Sequence, residues 1–171
     1  MTPEQFLKQT LTDIKVKLGE EFDKNFERKA FFDEKWKTPK LLNTRGSLMM
    51  RSGKLRKSLL NPKITQNSIV WSSSMPYADI HNNGGEIKVT PQMRKYFWAM
   101  YYKSSRAGKR GNLPVEAQQW KALALKPIGS TIRIEKRQFI GPHPQVDKHI
   151  KDIVNNNFQE LNQELKKIGK K

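Results

Sequence analysis

The chain has 171 residues, of which 33 are Lys or Arg and 16 are Asp or Glu, so its formal net charge is +17. It has no cysteine, which excludes disulfides and thiolate metal sites. No stretch approaches the ~20 apolar residues of a membrane span, and the start MTPEQFLKQT lacks the basic and apolar regions of a signal peptide. We expect no membrane association, and one domain spanning 1–171 with a real core.

The positive charge is concentrated in the middle of the chain. Residues 36–114 carry 15 basic and 2 acidic side chains, against 7 basic and 8 acidic in residues 1–35. A self-repelling segment is tolerated best where it faces a polyanion or an acidic partner, but a solvated surface that only aids solubility explains the charge equally well. Hydrophobic residues make up only 36% of the chain, which predicts much solvated surface, extended arms, or surface that an oligomer covers.

The first predicted element is a long amphipathic helix over residues 3–28, within an N-terminal segment 1–30. Thr2 and Pro3 supply a hydroxyl N-cap and a proline in the first turn. This helix has one apolar stripe, with residues at steps of three and four: Leu7, Leu11, Ile14, Leu18, Phe22 and Phe26. The stripe can pack on the core or on a neighbouring subunit. Its length favours self-association, for which Phe22 and Phe26 are candidate interface residues.

A short helix is predicted over residues 48–59. Alternatively, Ser52 and Gly53 break it, and a new helix begins with Ser52 as its cap. Leu55 and Leu59 should then face inward, with the cations Lys54, Arg56 and Lys57 facing water.

Four strands are predicted over residues 63–66, 69–73, 86–90 and 131–138. Between the last two, residues 91–127 read as a helical insertion with a basic loop. The final predicted element is a long amphipathic helix over residues 145–168, after which the chain frays. The predicted fold class is therefore α+β: a small, mainly antiparallel sheet packed by long N- and C-terminal helices, with a helical insertion.

Three short segments are notable for their order and spacing. They are RSGKLRKSL (51–59), YADIHNNGG (77–85) and RQFIGPHP (137–144). Together they resemble the phage virion morphogenesis family, also called tail completion proteins, over roughly residues 45–165. The residues that carry the resemblance are Ser52, Gly53, Leu55, Arg56, Tyr77, Ala78, Ile80, His81, Gly84, Gly85, Phe139, Ile140 and Gly141.

The resemblance implies a structural role in virion assembly and no enzyme activity. The protein would complete a tail or join it to the head, as a homo-oligomeric ring assembled in the bacterial host cytoplasm. Its partners would be other copies of itself, tail-tube or terminator proteins, or head connector proteins, with DNA passing non-specifically. The chain departs from the family pattern in the long segment Thr90–Pro127, and at His143 and Pro144.

The second segment also has a local interpretation. Pro76 starts a helical turn in which Tyr77, Ala78 and Ile80 pack inward. Asn82, Asn83 and Gly84 then end this turn, since Asn and Gly tolerate a left-handed backbone. We expect a positive φ at Gly84 or Gly85, and a turn or capping role for His81.

Catalytic chemistry is not predicted. The histidines His81, His143 and His149 share no metal-ligand spacing, and a two-carboxylate nuclease site would need Asp79, Glu86 and a distant helper. We expect no cofactor.

Two features of the insertion suggest contact with a polyanion. The aromatic residues at 96–102 are flanked by lysines, although packing explains such spacing better than stacking on bases. The loop RAGKRG offers cations that need no fixed geometry to meet phosphates: Arg106, Lys109 and Arg110. The alternative hypothesis is thus a stand-alone basic nucleic-acid-binding protein.

Overall fold

The computed structural model describes residues 2–39, 46–106 and 113–168. The fold is α+β, as predicted, with helices predominating over small antiparallel ladders. In chain order, the elements are α1 (Pro3–Arg28), β1 (Ala30–Phe31), β2 (Glu34–Lys35), α2 (Lys54–Ser58), β3 (Lys63–Ile64), β4 (Ile69–Val70), α3 (Ala78–Asn83), β5 (Gly85–Lys88), α4 (Pro91–Ser105), α5 (Val115–Ala124), β6 (Thr131–Ile134) and α6 (Pro144–Ile168).

The two long terminal helices form as predicted and pack against each other. Thr2 caps α1 in a reciprocal capping box with Gln5. The start of α1 meets the later part of α6, where the rings of Phe6 and Phe158 lie 4.7 Å apart. Nearby, the Asn157 amide donates to the Thr10 hydroxyl at 3.1 Å. The later part of α1 packs instead near the start of α6, so the helices are antiparallel.

The apolar stripe of α1 belongs mostly to the core. Phe22 is 4% exposed and Phe26 is fully buried, so the hypothesis that they form a subunit interface is wrong. Phe22 packs with the β1–β2 turn and with the first half of α6. Phe26 belongs to a second cluster, which has these other buried members: Trp36, Leu55, Leu59, Ala78 and Phe139.

The predicted strands exist but do not join into one sheet. Among the described residues, β3 pairs only with β4, and β5 pairs only with β6, from Gly85–Ile134 to Lys88–Thr131. A third ladder, β1–β2, forms in a part of the chain for which no strand was predicted. Each strand has two to four residues.

The predicted insertion is a pair of helices that pack chiefly against each other. Phe97 of α4 stacks with Trp120 of α5 at 6.1 Å, and Ala117 is fully buried between the two helices' faces. The β5–β6 ladder carries this pair, which we call the α4–α5 arm (residues 91–124). The arm therefore has a small core of its own, and its buried side chains depend little on contacts with the terminal helices.

The short helix α2 corrects two predictions. Residues 52–53 do interrupt the segment, but Gly53 rather than Ser52 precedes the helix, in a left-handed conformation and without a side-chain cap. Leu55 and Leu59 are buried, as predicted. Arg56 does not simply face water as predicted, because its guanidinium forms ion pairs with Asp23 and Glu27 on α1.

Candidate functional site

The third motif segment is held in place by side chains from other parts of the chain. The amide of Asn25 on α1 donates to the Phe139 carbonyl at 3.3 Å. The Asn82 carbonyl oxygen accepts from the backbone N–H groups of Phe139 at 2.9 Å and Ile140 at 3.2 Å. Phe139 is fully buried, with its ring 5.5 Å from that of Phe26. The two asparagine side chains therefore supply the backbone hydrogen bonds that a neighbouring strand would otherwise make with this segment.

Two further bonds fix the residues just before Phe139. The Arg137 backbone N–H donates to the His81 carbonyl at 2.8 Å, and the Trp36 indole N–H donates to the Gln138 carbonyl at 2.7 Å. Ladder pairing stops at Ile134, so the predicted strand over 131–138 is too long. The last residues of that predicted strand bond instead to the carbonyl of His81 in α3 and to the Trp36 indole.

Glycine is required where the second segment passes close to its neighbours. Gly84 has φ +74, and a Cβ there would lie 3.0 Å from the Lys136 backbone nitrogen. Gly85 has φ +151, and its Cβ would lie 2.8 Å from the Ile80 side chain. The predicted positive φ is thus confirmed at both positions. Gly141 in the third segment has φ +133 and would meet the Gln138 side chain.

The first segment is tied to α1 through Arg56. Its guanidinium bonds both oxygens of Asp23 and, at 2.7 Å, Glu27. These hydrogen bonds raise the pKa of Arg56 above its ordinary value. The neighbouring Leu55 is buried in the same cluster as Phe139, so the first and third segments share one core.

The three motif segments converge on one pocket of about 420 Å³, which we call the cationic pocket. Arg137 and His81 line it together with residues from the first segment. Its other described lining residues are Ser47, Leu48, Met49, Arg51, Ser52, Gly53, Lys54, Leu55 and Tyr77.

The cationic pocket contains one buried polar side chain, Arg137, and one half-buried one, His81. Arg137 is 8% exposed, and its Nε donates to the Lys37 carbonyl at 3.2 Å. Burial lowers the pKa of Arg137, an effect that the charge of Glu135 opposes. Burial lowers the pKa of His81 as well, helped by the Arg137 charge, and both effects favour the neutral imidazole. The His81 Nδ1 is buried without a hydrogen-bond partner among the described residues.

Tyr77 does not pack inward as predicted, because it is 39% exposed. It precedes α3, and its ring lies 6.0 Å from that of His81 at the pocket. Ala78 is buried, as predicted, while Ile80 is half-buried.

The sequence pattern does not reveal several residues that build this site. Asn25 lies between Phe22 and Phe26 on the buried face of α1, and a polar residue at such a position is an available signal. The pattern assigns Asn82 only to the end of a helix, and it does not single out Arg137. In both cases the partner atoms lie more than 40 residues away in sequence, and no local pattern shows them.

The remaining candidate residues have structural roles or lie elsewhere. His143 stacks on Phe32 at 4.7 Å, and its Nε2 lies 3.1 Å from Asp33. Asp79, considered for a nuclease site, accepts a hydrogen bond from Asn83 at 2.6 Å. In the described ranges, no group of three or more His, Asp or Glu side chains is placed to hold a metal ion.

The candidate polyanion contacts are only partly described. Arg106 is exposed just after α4, whereas Lys109 and Arg110 lie outside the described residues. The aromatic side chains of α4 divide into two groups. Tyr96 and Phe97 meet Trp120 of α5, and a second group contacts itself along one face: Trp98, Tyr101 and Tyr102.

Over the described parts of the chain, no helix combines the length and the apolar character needed to span a bilayer. Comparison of the sequence with protein-family models finds no match. Comparisons with curated proteins and with solved structures find no similar protein either.

Proposed function

We propose that this chain is a structural component of a phage or prophage virion, acting in tail completion or head–tail joining as a homo-oligomeric ring. The observation that supports the proposal is the convergence of the three family-like segments. Residues 51–59, 77–85 and 137–144 are far apart in sequence, yet all three contribute to the cationic pocket or to the core beneath it. Segments that resembled the family only by chance would not be expected to meet in one part of the fold.

The contacts within this framework favour assembly rather than catalysis. Its polar side chains bind backbone groups, as Asn25 and Asn82 do, or pair with opposite charges, as Arg56 does. His143 is bound to Asp33 and to the Gln145 backbone. No nucleophile–base pair is apparent in these contacts, so they are best explained as a rigid support for surfaces that meet other proteins.

A surface suited to self-association lies where the start of α1 meets the later part of α6. Leu7 on α1 is 39% exposed, and Phe158 and Leu165 on α6 are 49% and 55% exposed. We call these three residues the helix-end surface. Phe22 and Phe26 are buried in the core and cannot contact a neighbouring subunit. The exposed apolar side chains of the helix-end surface are available for such a contact.

Subunit contact at the helix-end surface can be measured on the purified protein. Mass photometry and negative-stain electron microscopy should show oligomers that grow with concentration, and rings at high concentration. The double variant Phe158→Ser/Leu165→Ser loses the Phe6–Phe158 ring contact but should stay folded, because both side chains are about half exposed, and should remain monomeric. The matched control is Ile64→Ser/Val70→Ser on the β3–β4 hairpin, where both residues are similarly exposed and assembly should persist.

The virion role itself needs a test in cells. Disruption of the gene in a strain that carries it, followed by induction, should leave unjoined heads and tails or unfinished tails in electron micrographs. Complementation with the wild-type chain should restore complete particles, and complementation with the helix-end variant should not. Normal particles in the disrupted strain would contradict the proposal.

The alternative is a stand-alone nucleic-acid-binding protein, which shares the positive charge of residues 36–114. It predicts that a monomer binds DNA tightly at physiological salt, with no need for assembly. Electrophoretic mobility shifts on the monomeric helix-end variant separate the two hypotheses, since a ring component should bind DNA weakly in that form.

A further inference from the structure

The cationic pocket contains more positive charge than its surroundings balance. Arg51, Lys54 and Arg137 line it, and none of the described lining residues is acidic. Arg137 is more than nine-tenths buried, yet within the described ranges only its Nε has an acceptor, the Lys37 carbonyl. The Arg137 Nη1 and Nη2 atoms are not among the described buried polar atoms that lack a partner, so they reach solvent and can donate to a ligand. The pocket therefore presents a largely buried arginine, with its terminal N–H groups accessible, to an acceptor that the described chain does not provide.

The chain offers no obvious anion of its own at this position. Glu135 acts on Arg137, but its carboxylate lies 3.7 Å from the Lys37 ammonium group. Asp79 on the adjacent α3 is bound by Asn83. In sequence, no acidic residue occurs between Glu34 and Asp79, so the loop around the first motif segment cannot supply a carboxylate. An external anion is the simplest complement to this charge.

The walls of the pocket restrict what that anion can be. Leu48, Met49, Leu55 and the ring of Tyr77 line it beside the cations. Apolar walls favour an occupant that carries an apolar group next to its charge. A protein segment with an acidic residue beside an aliphatic one has this character. A DNA phosphate is flanked by solvated sugar and phosphate groups, and it gains nothing from such walls.

We propose that the cationic pocket binds a carboxylate side chain carried next to an apolar residue on a partner protein. Arg137 is the buried donor at the base of the site, and Arg51 and Lys54 complete it at the exposed edge. Arginine suits this role because its planar fork can donate two parallel bonds to one carboxylate. The assignment of that partner as a neighbouring virion protein rests on the proposed function, whereas the binding chemistry does not.

The test uses two short blocked peptides and the full-length ¹⁵N-labelled protein. The probe is acetyl-Gly-Leu-Glu-Gly-amide, and its matched control replaces Glu by Gln. The Glu peptide should shift the Arg137 Nε resonance and the backbone amides of residues 47–55 and 77–81, saturably and at millimolar concentration. The Gln peptide should bind about tenfold more weakly, because it lacks the charge that the guanidinium complements.

Two variants separate the pocket from general positive charge. Arg51→Gln/Lys54→Gln changes two exposed residues and should weaken binding of the Glu peptide about fivefold without unfolding the protein. Lys63→Gln/Lys88→Gln removes the same net charge from exposed positions outside the pocket and should leave binding unchanged. Arg137→Gln should abolish the preference for Glu, and circular dichroism shows whether that variant stays folded.

Three results would overturn the proposal. Equal binding of the Glu and Gln peptides would show an apolar recess without anion selectivity. Tighter binding of inorganic phosphate or of a single-stranded oligonucleotide to the same resonances would show a phosphate site instead. No shift at millimolar Glu peptide would show that the pocket has no such ligand. None of these experiments requires ring formation, so their failure is distinguishable from a failure of the proposed function.

Discussion

The sharpest stability prediction concerns Asn82, whose side chain joins the second motif segment to the third. In Asn82→Ala, the backbone N–H groups of Phe139 and Ile140 lose the acceptor they share. Each unmatched, largely buried amide costs about 1–2 kcal/mol, so the free energy of unfolding should fall by roughly 2–3 kcal/mol. Urea unfolding followed by circular dichroism measures this loss, and the m-value should stay constant.

Two neighbouring substitutions make the test specific. Asn83→Ala removes two exposed side-chain bonds, one accepted from the Asn82 amide at 3.3 Å and one donated to Asp79 at 2.6 Å, and should cost less than ~0.5 kcal/mol. Asn82→Asp keeps an oxygen acceptor for both N–H groups and should cost less than half as much as Asn82→Ala. Hydrogen exchange at Phe139 should accelerate only in the alanine variant at position 82. Equal losses of unfolding free energy in Asn82→Ala and Asn83→Ala would refute this role of the Asn82 side chain.

Three further predictions follow from the same structure. Gly85→Val should destabilise the protein by more than ~1 kcal/mol in thermal melts, because φ is +151 and the new Cβ meets Ile80 at 2.8 Å. Burial raises the pKa of Glu21, but hydrogen bonds from Arg28 and Lys17 outweigh it and lower the pKa from 4.5 to about 2. This carboxylate therefore contributes stability above pH 4.5 that is lost as pH falls towards 2, at most about 3 kcal/mol and less with part-exposed partners. Replacing Arg106, Lys109 and Arg110 by alanine should leave the fold intact. It should also weaken the dependence of any DNA-binding constant on salt concentration, by about 0.9 in the log–log slope for each phosphate no longer neutralised.

Each of these has a control. Gly53→Ala meets no atom within 4 Å, so it should show only the cost of its left-handed backbone. His81→Ala should be tolerated far better than Gly85→Val, and loss of function in a folded His81 variant would revive a catalytic hypothesis. Glu21→Gln should flatten the acid limb of the stability curve, and an unchanged limb would show that other groups govern acid unfolding. A parent protein without DNA affinity at low salt would contradict DNA binding by the basic loop.

Local rules alone were sufficient to predict several elements of this fold. The helix α1 begins at its Thr2 cap and ends at Arg28, and α6 ends at Ile168, as the apolar periodicity predicted. The positive φ at Gly84 and Gly85 followed from local turn chemistry, although the close approach of Gly84 to Lys136 is a long-range contact. Side chains alternate in burial along and just after β4, with Ile69 and Trp71 half-buried and Val70 exposed, which is the pattern of a half-buried strand. Such features depend on residues within a few positions of one another.

Only the tertiary structure decided how these elements meet. The partners of Arg56 lie 29 and 33 residues away, and Asn25 reaches Phe139 across 114 residues. Whether Phe26 faced the core or a neighbour, and whether four strands formed one sheet or separate ladders, depended on such long-range contacts. The cationic pocket exists for the same reason. Its charge is visible in the composition, but the burial that makes Arg137 a binding group arises only when three distant segments pack around one phenylalanine.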